Sequence, residues 1–370
     1  TGSTILEAKK YDPETGEEIP ISRSFNGVHK VTYTYYGTVT PIKDALTGKI
    51  LNGIEAVSPS LLFWRSFMQW IGGLGIIVLF VAFLPELGIQ NKLLYQTEAT
   101  GPVKEGFKPR IKETAIQLWL IYIGLTFLQI FCLFTAAPDI PLFDAVTLSL
   151  STLSTGGFSI HNSNVGYYQQ NSIVWIVLIF MILGSINFTL YYHVLKGKFY
   201  RLFDTELRCY LIFLSVLGGL VIYGIWKTPE INLEGVDKGN FSLSDAIRIG
   251  LFHCVSFESS SGFCTAMYDT WPYAVQVILV MASYLGGMSG STAGGIKISR
   301  IQILYQATKA RIESIFQPRT IKRIYLGGRE VSEASAYSVF GYFFIVIAVS
   351  AFATLIYVYD HIDLQTSFSL

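Results

Sequence analysis

Charge is what this sequence has least of. Only 14% of its 370 residues are Asp, Glu, Lys or Arg, while 51% are hydrophobic. Soluble domains carry about 25% charged residues, so composition alone places this chain in a membrane. The few charges nearly cancel, to a net +1, which leaves no basic field for a nucleic-acid partner. The four cysteines (Cys132, Cys209, Cys254 and Cys264) show no Cys-x-x-Cys spacing and mostly sit in or beside apolar runs. Neither a disulfide framework nor a zinc site follows. His253 and the pair His161-Asn162 have no metal-ligand partners at useful spacing. No Ser/His/Asp or Cys/His set converges, so the chain reads as no enzyme and calls for no cofactor. An initiator Met and a charged-then-apolar signal segment are also missing from the opening residues TGSTIL. The last residues, YDHIDLQTSFSL, read as the start of another element. Both true ends of the protein are expected to lie outside this sequence.

Long apolar runs are what the chain does have. Six stand near 61–85, 113–137, 172–194, 209–226, 273–285 and 335–359, and most reach the roughly 20 residues that a spanning helix needs. The loop after the first run holds Lys92, Lys104, Lys108, Arg110 and Lys112, and the loop after the second holds no Lys or Arg. The segment after the third run is basic again, and 297–329 is strongly basic. The positive-inside rule makes the basic loops cytoplasmic and puts 1–60, 136–171, 227–272 and 360 onward outside. Trp64, Trp175, Trp226 and Trp271 fall near helix ends, as an interfacial belt would place them. Residues 7–55 are polar, with KVTYTYYGTV reading as strand and DPETGEE as turn. A small outside insertion containing a hairpin is expected there.

Two outside loops share one grammar. LFDAVTLSLSTLSTGGFS and LSDAIRIGLFHCVSFESSSGFCT each open on Asp-Ala, at Asp144 and Asp245. They close on Thr155-Gly156 and Ser261-Gly262, each ahead of a long apolar run. Thr1-Gly2 offers the same step, and IDLQTSFSL looks like a fourth copy cut short. Runs this short and polar cannot cross a bilayer. Re-entrant segments are tolerated where protein or a water-filled cavity buries them. Helix in, glycine turn and extended strand out describe the pore loop of a cation channel, whose backbone carbonyls replace an ion's hydration shell. Glycine reaches backbone angles closed to other residues, and neighbouring Ser and Thr add oxygens that suit hard cations.

The stretch LGGMSGSTAGGIKISR, 285–300, raises a separate question. A phosphate-binding loop needs G-x-x-x-x-G-K-[ST] after a strand. From Gly290, Ile296 stands where the lysine is required, Lys297 comes one place late, and the preceding element is an apolar helix. That helix runs only about 13 residues before the glycines begin, so the chain is still at membrane depth. A broken helix with an intramembrane loop is the reading that remains.

These motifs resemble a known family. STGGFS with GSINFTLYYHVLKGK, and SSGFCTAMYDTWP with GGMSGSTAGGIKISR, look like the potassium transporters of the Trk/Ktr/HKT superfamily, most of all its TrkH-type membrane subunits. SLLFWRSFMQWIGGLGIIVLFVAFLPELG resembles the second helix of that family's first repeat. The resemblance covers nearly everything but 7–52. It implies an all-α polytopic membrane protein of four membrane–pore–membrane repeats around one pore. Repeat one would end at 85, repeat two span 113–194, repeat three 209–313, and repeat four begin at 335 and continue past Leu370. By the same resemblance the filter that binds potassium, as substrate, comprises Thr1 and Gly2; Ser154, Thr155, Gly156 and Gly157; and Ser260, Ser261, Gly262 and Phe263. Gly2, Gly156 and Gly262 match the family's key position, where glycine goes with potassium selectivity. The loop of Gly286, Gly287, Ser289, Gly290, Ser291, Thr292, Ala293, Gly294 and Gly295 would gate the pore from the cytoplasmic side. The family further implies a bacterial inner membrane, a homodimer, and a cytoplasmic nucleotide-binding regulatory subunit of the TrkA type. A sodium-permeable or cation-coupled transporter of the same architecture is the alternative.

Other residues carry smaller expectations. Glu258 either raises the local cation concentration or hydrogen-bonds behind the filter. Asn187 is expected in an interhelical hydrogen bond, and Arg65 is expected to snorkel. The glycines of 72–75 and 217–219 are expected at close helix contacts.

Overall fold

The computed structural model describes residues 53–87, 107–168, 170–231, 237–316 and 333–359, together with short paired strands within 10–51 and 324–331. Three antiparallel pairs stand within 10–51: β1 (Lys10–Tyr11) with β2 (Glu18–Ile19), β3 (Ser22–Phe25) with β4 (His29–Thr32), and β5 (Ile42–Lys43) with β6 (Ile50–Leu51). The polar insertion thus holds short antiparallel strand pairs; of KVTYTYYGTV only 30–32 is described, within β4, and of DPETGEE only Glu18, within β2.

The rest is helical. α1 (Pro59–Leu87) is followed by α2 (Phe107–Ala136), the short α3 (Leu142–Leu153), α4 (Asn171–Ser185) and α5 (Phe188–Leu195). After these come α6 (Thr205–Ile225), the short α7 (Leu243–Glu258), α8 (Tyr273–Tyr284), α9 (Ile298–Phe316) and α10 (Glu333–Tyr359). Small antiparallel pairs, β7 (Pro229–Ile231) with β8 (Asp237–Asn240) and β9 (Ile324–Leu326) with β10 (Arg329–Val331), fill two of the connections. Among the described residues, Ala115–Ala136, Thr205–Ile225 and Ser335–Tyr359 are long and apolar enough to cross a membrane.

The apolar run at 172–194, expected as one spanning helix, is instead broken. α4 and α5 meet at 93° across Ile186-Asn187. Asn187 caps the second piece, its side chain accepting from the Thr189 backbone N–H at 2.9 Å and from the Thr189 hydroxyl at 2.7 Å. The expected interhelical bond from Asn187 is therefore replaced by a local cap, which supplies one of the donors' partners that every helix start lacks.

Two units follow one plan. α3 packs among α1, α2 and α4, while α7 packs among α6, α8 and α4, so α4 joins the two. At 12 residues α3 covers about 18 Å, too little to span. It is nevertheless buried from Asp144 to Leu153, Val146 apart. Met181, Tyr210, Phe252 and Trp271 share one core that runs through both units. Trp271 is 3% exposed and packs edge-on against His253, with centroids 4.9 Å apart; it sits in the core, not in the interfacial belt expected for it. A second core lies under α1, where Trp70, Tyr122, Phe188 and Tyr191 contact in sequence at 5.4, 5.8 and 5.6 Å. Of the glycines at 72–75, Gly73 makes the close approach. A Cβ there would lie 2.9 Å from the Tyr122 hydroxyl and 3.1 Å from the Ser154 Cβ, whereas Gly72 and Gly75 face open space.

Replacing Asn187 with Ala removes the cap at the bend. The expected cost is about 1 kcal/mol, read as a melting temperature a few degrees lower in detergent.

Candidate permeation site

The two short helices end in the same backbone turn. After α3, Thr155 has φ 50° and Gly157 φ 65°; after α7, Ser260 has φ 58° and Gly262 φ 76°. The hydrogen bonds repeat as well. Thr155 N–H donates to the Thr152 carbonyl at 3.0 Å and Gly156 N–H to Ser151 at 2.8 Å. Ser260 N–H donates to Phe257 at 3.1 Å and Ser261 N–H to Ser256 at 3.0 Å. One serine in each helix also ties the outgoing strand. The Ser151 hydroxyl accepts from Phe158 N–H at 2.5 Å, and the Ser256 hydroxyl donates to the Phe263 carbonyl at 2.7 Å.

This register corrects the alignment read from the sequence. Gly157, not Gly156, occupies the place of Gly262, and Gly156 pairs with Ser261. The Ser/Thr-Gly step misleads because Thr155 is followed by two glycines and the step takes the first; the shared Asp-Ala does not fix the register either, since α7 has 16 residues against 12 in α3, about one turn more. Asp144 and Asp245 begin equivalent helices at different distances from the turn. Their tasks differ too. Asp245 takes part in an N-cap by Ser242, with its N–H donating to Ser242 Oγ at 3.2 Å and its carboxylate accepting from the same hydroxyl at 2.5 Å. Asp144 instead accepts from Tyr168 Oη at 3.0 Å and lies 2.9 Å from His161 Nε2.

The two turns lie side by side. A Cβ on Gly157 would come within 1.5 Å of the Ser261 carbonyl oxygen, so only glycine permits the approach, and its positive φ demands glycine independently. A Cβ on Gly156 would meet only the side chain of Gln69, from α1, at 2.3 Å. Thr155 and Ser260 hold left-handed angles without being glycine, at a cost of roughly 1–2 kcal/mol each. Ser154 is buried, with its hydroxyl donating to the Leu150 carbonyl at 2.8 Å. Ser261 is also buried, its hydroxyl 2.7 Å from that of Ser259, and the Phe263 ring is fully enclosed in the core. Ser260 and Gly262 remain exposed. Thr1 and Gly2 lie outside the described residues.

The loop 286–295 runs directly beneath. It leaves α8 through a parallel bridge between Leu285 and Ile296, with Gly286 N–H donating to Ile296 O at 3.0 Å and Ile296 N–H to Tyr284 O at 2.8 Å. Its backbone is then tied to the bend between α4 and α5. Met288 N–H donates to Ser185 O at 2.9 Å, Thr292 N–H to Gly184 O at 3.2 Å, and Phe188 N–H to Gly290 O at 3.1 Å. Thr292 makes the contact with the turn after α3. Its hydroxyl lies 2.9 Å from the Leu153 carbonyl, at the end of α3, and 3.0 Å from that of Gly184. The Thr155 hydroxyl donates back to the Thr292 carbonyl at 2.9 Å. Ser289 N–H donates to Glu206 Oε1 at 2.7 Å, and the Ser289 and Ser299 hydroxyls meet at 2.5 Å. The Ser291 hydroxyl donates to Met288 O at 2.7 Å. Gly294 sits against Ser260, where a Cβ would come within 2.8 Å of the serine hydroxyl. Gly294 and Gly295 are the exposed part of the loop, so they and Ser260 border the same opening. Lys297, counted among the cytoplasmic charges, reaches back to donate to the Ala293 carbonyl.

A family comparison bears on this arrangement. The TrkH family profile, described as a cation transport protein, matches residues 44–369. The chain belongs to the TrkH family. The Trk system potassium uptake protein TrkH of Salmonella typhimurium is 35% identical over 313 residues, which cover 82% of this chain and 62% of that relative. The TrkG protein of Escherichia coli is 34% identical over 325 residues, covering 86% and 64%. The chain thus spans less than two thirds of the length of the curated relatives it matches. Among solved structures, the potassium transporter TrkH from Vibrio parahaemolyticus superposes with a TM-score of 0.71 at 29% identity, over 85% of this chain and 63% of that one. The helical membrane-transporter fold is therefore the family's own.

Three smaller expectations meet the family fold differently. Glu258 is 3% exposed and accepts from the Tyr210 hydroxyl at 3.1 Å, so it is a buried, hydrogen-bonded carboxylate at the end of α7. Arg65, expected to snorkel, lies with its guanidinium 4.2 Å over the Phe158 ring. It braces the extended segment that follows the turn after α3. His253 is fully buried, with Nδ1 2.9 Å from the Ile249 carbonyl. Sequence reading missed the cluster of Glu55, Asp144, His161 and Tyr168. The repeated Asp-Ala and the His161-Asn162 pair were its only traces, because Glu55 and His161 stand 106 positions apart.

The two adjacent glycines of the second turn should separate in mutagenesis. Gly156→Ala should be relieved by Gln69→Ala, since only a side chain obstructs it. Gly157→Ala should stay defective in the same background. Folded yield and rubidium uptake measure both.

Proposed function

We propose that this chain is the pore-forming part of a potassium uptake system in a bacterial inner membrane. Ions would pass through a filter built from four pore loops and be checked by the loop 286–295. The observation that carries the reading is the pairing of two identical filter turns with a loop tied to the base of one and seated under the other. Left-handed residues at alternate positions swing successive peptide planes, so that N–H groups fall to one side and carbonyls to the other. A file of carbonyls replaces the hydration shell of a weakly hydrated cation. The names of the relatives, Trk system potassium uptake proteins, support potassium as the ion.

The loop suits the part of a gate because its ties are few and replaceable. Thr292 holds two carbonyls through one hydroxyl and accepts one bond through its backbone oxygen. Each such bond contributes only about 1 kcal/mol net, so an input of a few kcal/mol from a partner suffices to shift the loop. The family likeness supports a homodimer and a nucleotide-binding subunit of the TrkA type as the source of that input. The basic segment at 300–330 offers its candidate contacts.

Rubidium uptake by the full-length gene product, in cells lacking their own potassium uptake, is the deciding experiment. Uptake that persists in excess sodium and collapses in Gly157→Ser or Gly262→Ser is the expected result. Sodium uptake at an equal rate would overturn the potassium assignment. Thr292→Val, which removes the hydroxyl and keeps the shape, should raise basal flux by about tenfold for each 1.4 kcal/mol of lost restraint. Unchanged flux in that variant and in a shortened loop would count against gating by 286–295.

A further inference from the structure

Three parts of the outer face meet at one imidazole. His161, in the strand leaving the second filter, places Nε2 2.9 Å from Asp144 Oδ2, in the first turn of α3. Its Nδ1 lies 3.3 Å from Glu55 Oε1, in the 3-10 turn that leads into α1. Tyr167 stacks on the ring at 3.5 Å and 8°, and Tyr168 packs edge-on at 5.5 Å. Asn162 strengthens the same junction. Its N–H donates to Glu55 Oε1 at 3.2 Å, and its Oδ1 accepts from Ile54 N–H at 3.0 Å. Farther along, Gly166 N–H donates to the Cys264 carbonyl, just past the third filter, at 3.2 Å. Residues 158–168 are thus a strap from the second filter to its own pore helix, to the start of α1 and to the third filter.

The ring's chemistry constrains that strap. A carboxylate only accepts hydrogen bonds, and a neutral imidazole has a single N–H to give. With a carboxylate oxygen at each nitrogen, both contacts are hydrogen bonds only when the ring carries two protons. We infer that His161 is a positioning residue of the outer mouth, whose protonated ring bridges Asp144 to Glu55 and holds the second filter strand in its conducting geometry. External proton activity then sets how firmly that strand is held. The inference rests on the permeation reading above.

The electrostatics agree. Burial opposes a charge on His161, but hydrogen bonds and charge from Asp144 and Glu55 outweigh it and hold its pKa above the ordinary histidine value. Among the described residues, the titratable groups facing the ring from α3, from the turn before α1 and from its own loop are Asp144, Glu55, Tyr167 and Tyr168. The side chains of His161, Glu55 and Asp144 are 15%, 28% and 10% exposed, so solvent protons reach the ring while the bonds are little screened. Because the folded pKa is raised, the tie is complete below about pH 6.5 and is lost as pH rises through the folded pKa.

The test is rubidium uptake by the full-length protein with external pH stepped from about 6 to about 9 at constant cytoplasmic pH. Uptake should fall roughly fivefold toward alkaline pH, the low end of coupling between linked sites. His161→Gln, uncharged throughout, should give a flat profile, and Glu55→Gln should move the midpoint to lower pH. Equal slopes in His161→Gln and the parent overturn the inference. Should His161→Gln not fold, an unmoved midpoint in Glu55→Gln overturns it as well. A parent that takes up no rubidium at any pH sinks the transport reading instead. The tie is then read from the purified protein, whose melting temperature should drop over the same pH range and stay level in His161→Gln; parallel melting curves overturn it.

Discussion

Thr292 holds the centre of this molecule together. Its hydroxyl reaches carbonyls of two different helices, and its own carbonyl accepts from Thr155, so one residue joins the loop, the short helix α3 and the bend after α4. The need behind this is general. At membrane depth no water satisfies a stray N–H or C=O, so irregular backbone persists only where protein supplies the partners. Three irregular segments meet here: the two turns after α3 and α7 and the loop 286–295. Each is satisfied largely by the others, so none of them would be stable alone at that depth.

The same constraint accounts for the helices around them. α3 and α7 stop short of spanning because their C-terminal carbonyls are consumed by the turns that follow, at Ser151, Thr152, Ser256 and Phe257. α4 breaks at Ile186-Asn187, and the freed carbonyls of Gly184 and Ser185 become the acceptors for Thr292 and Met288. A straight α4 would have used those carbonyls internally and left the loop without a seat. The bend and the loop are therefore one structural decision. Gly73 serves the same end from outside by letting α1 close against the base of the second turn.

The periphery is built differently. On the outer face, charged and aromatic side chains do the joining. His161 gathers Asp144 and Glu55, and Arg65 covers Phe158. Water is near enough there for ionised groups to be tolerated, which is why the strap can respond to its surroundings while the buried ties cannot. The turn after α3 is thus held by two kinds of restraint, a neutral one from Thr292 and an ionic one from the His161 junction.

The sequence by itself determined the membrane class, the place of the long helices and the two glycine turns after the short helices, because hydropathy, helix length and glycine steps are local properties. It also marked the loop at 286–295, through a helix too short to reach the far side. Several features were decided only in three dimensions. The register that aligns Gly157 with Gly262 follows from hydrogen bonds and φ signs, and the Ser/Thr-Gly step pointed elsewhere because two glycines follow Thr155. The break at Asn187 depends on acceptors that the loop requires about a hundred residues later in the chain. The His161 junction needs Glu55, far off in sequence. Periodicity reports what a segment would do alone; pairing of distant polar groups is set by which of them close packing brings together with no water left between them.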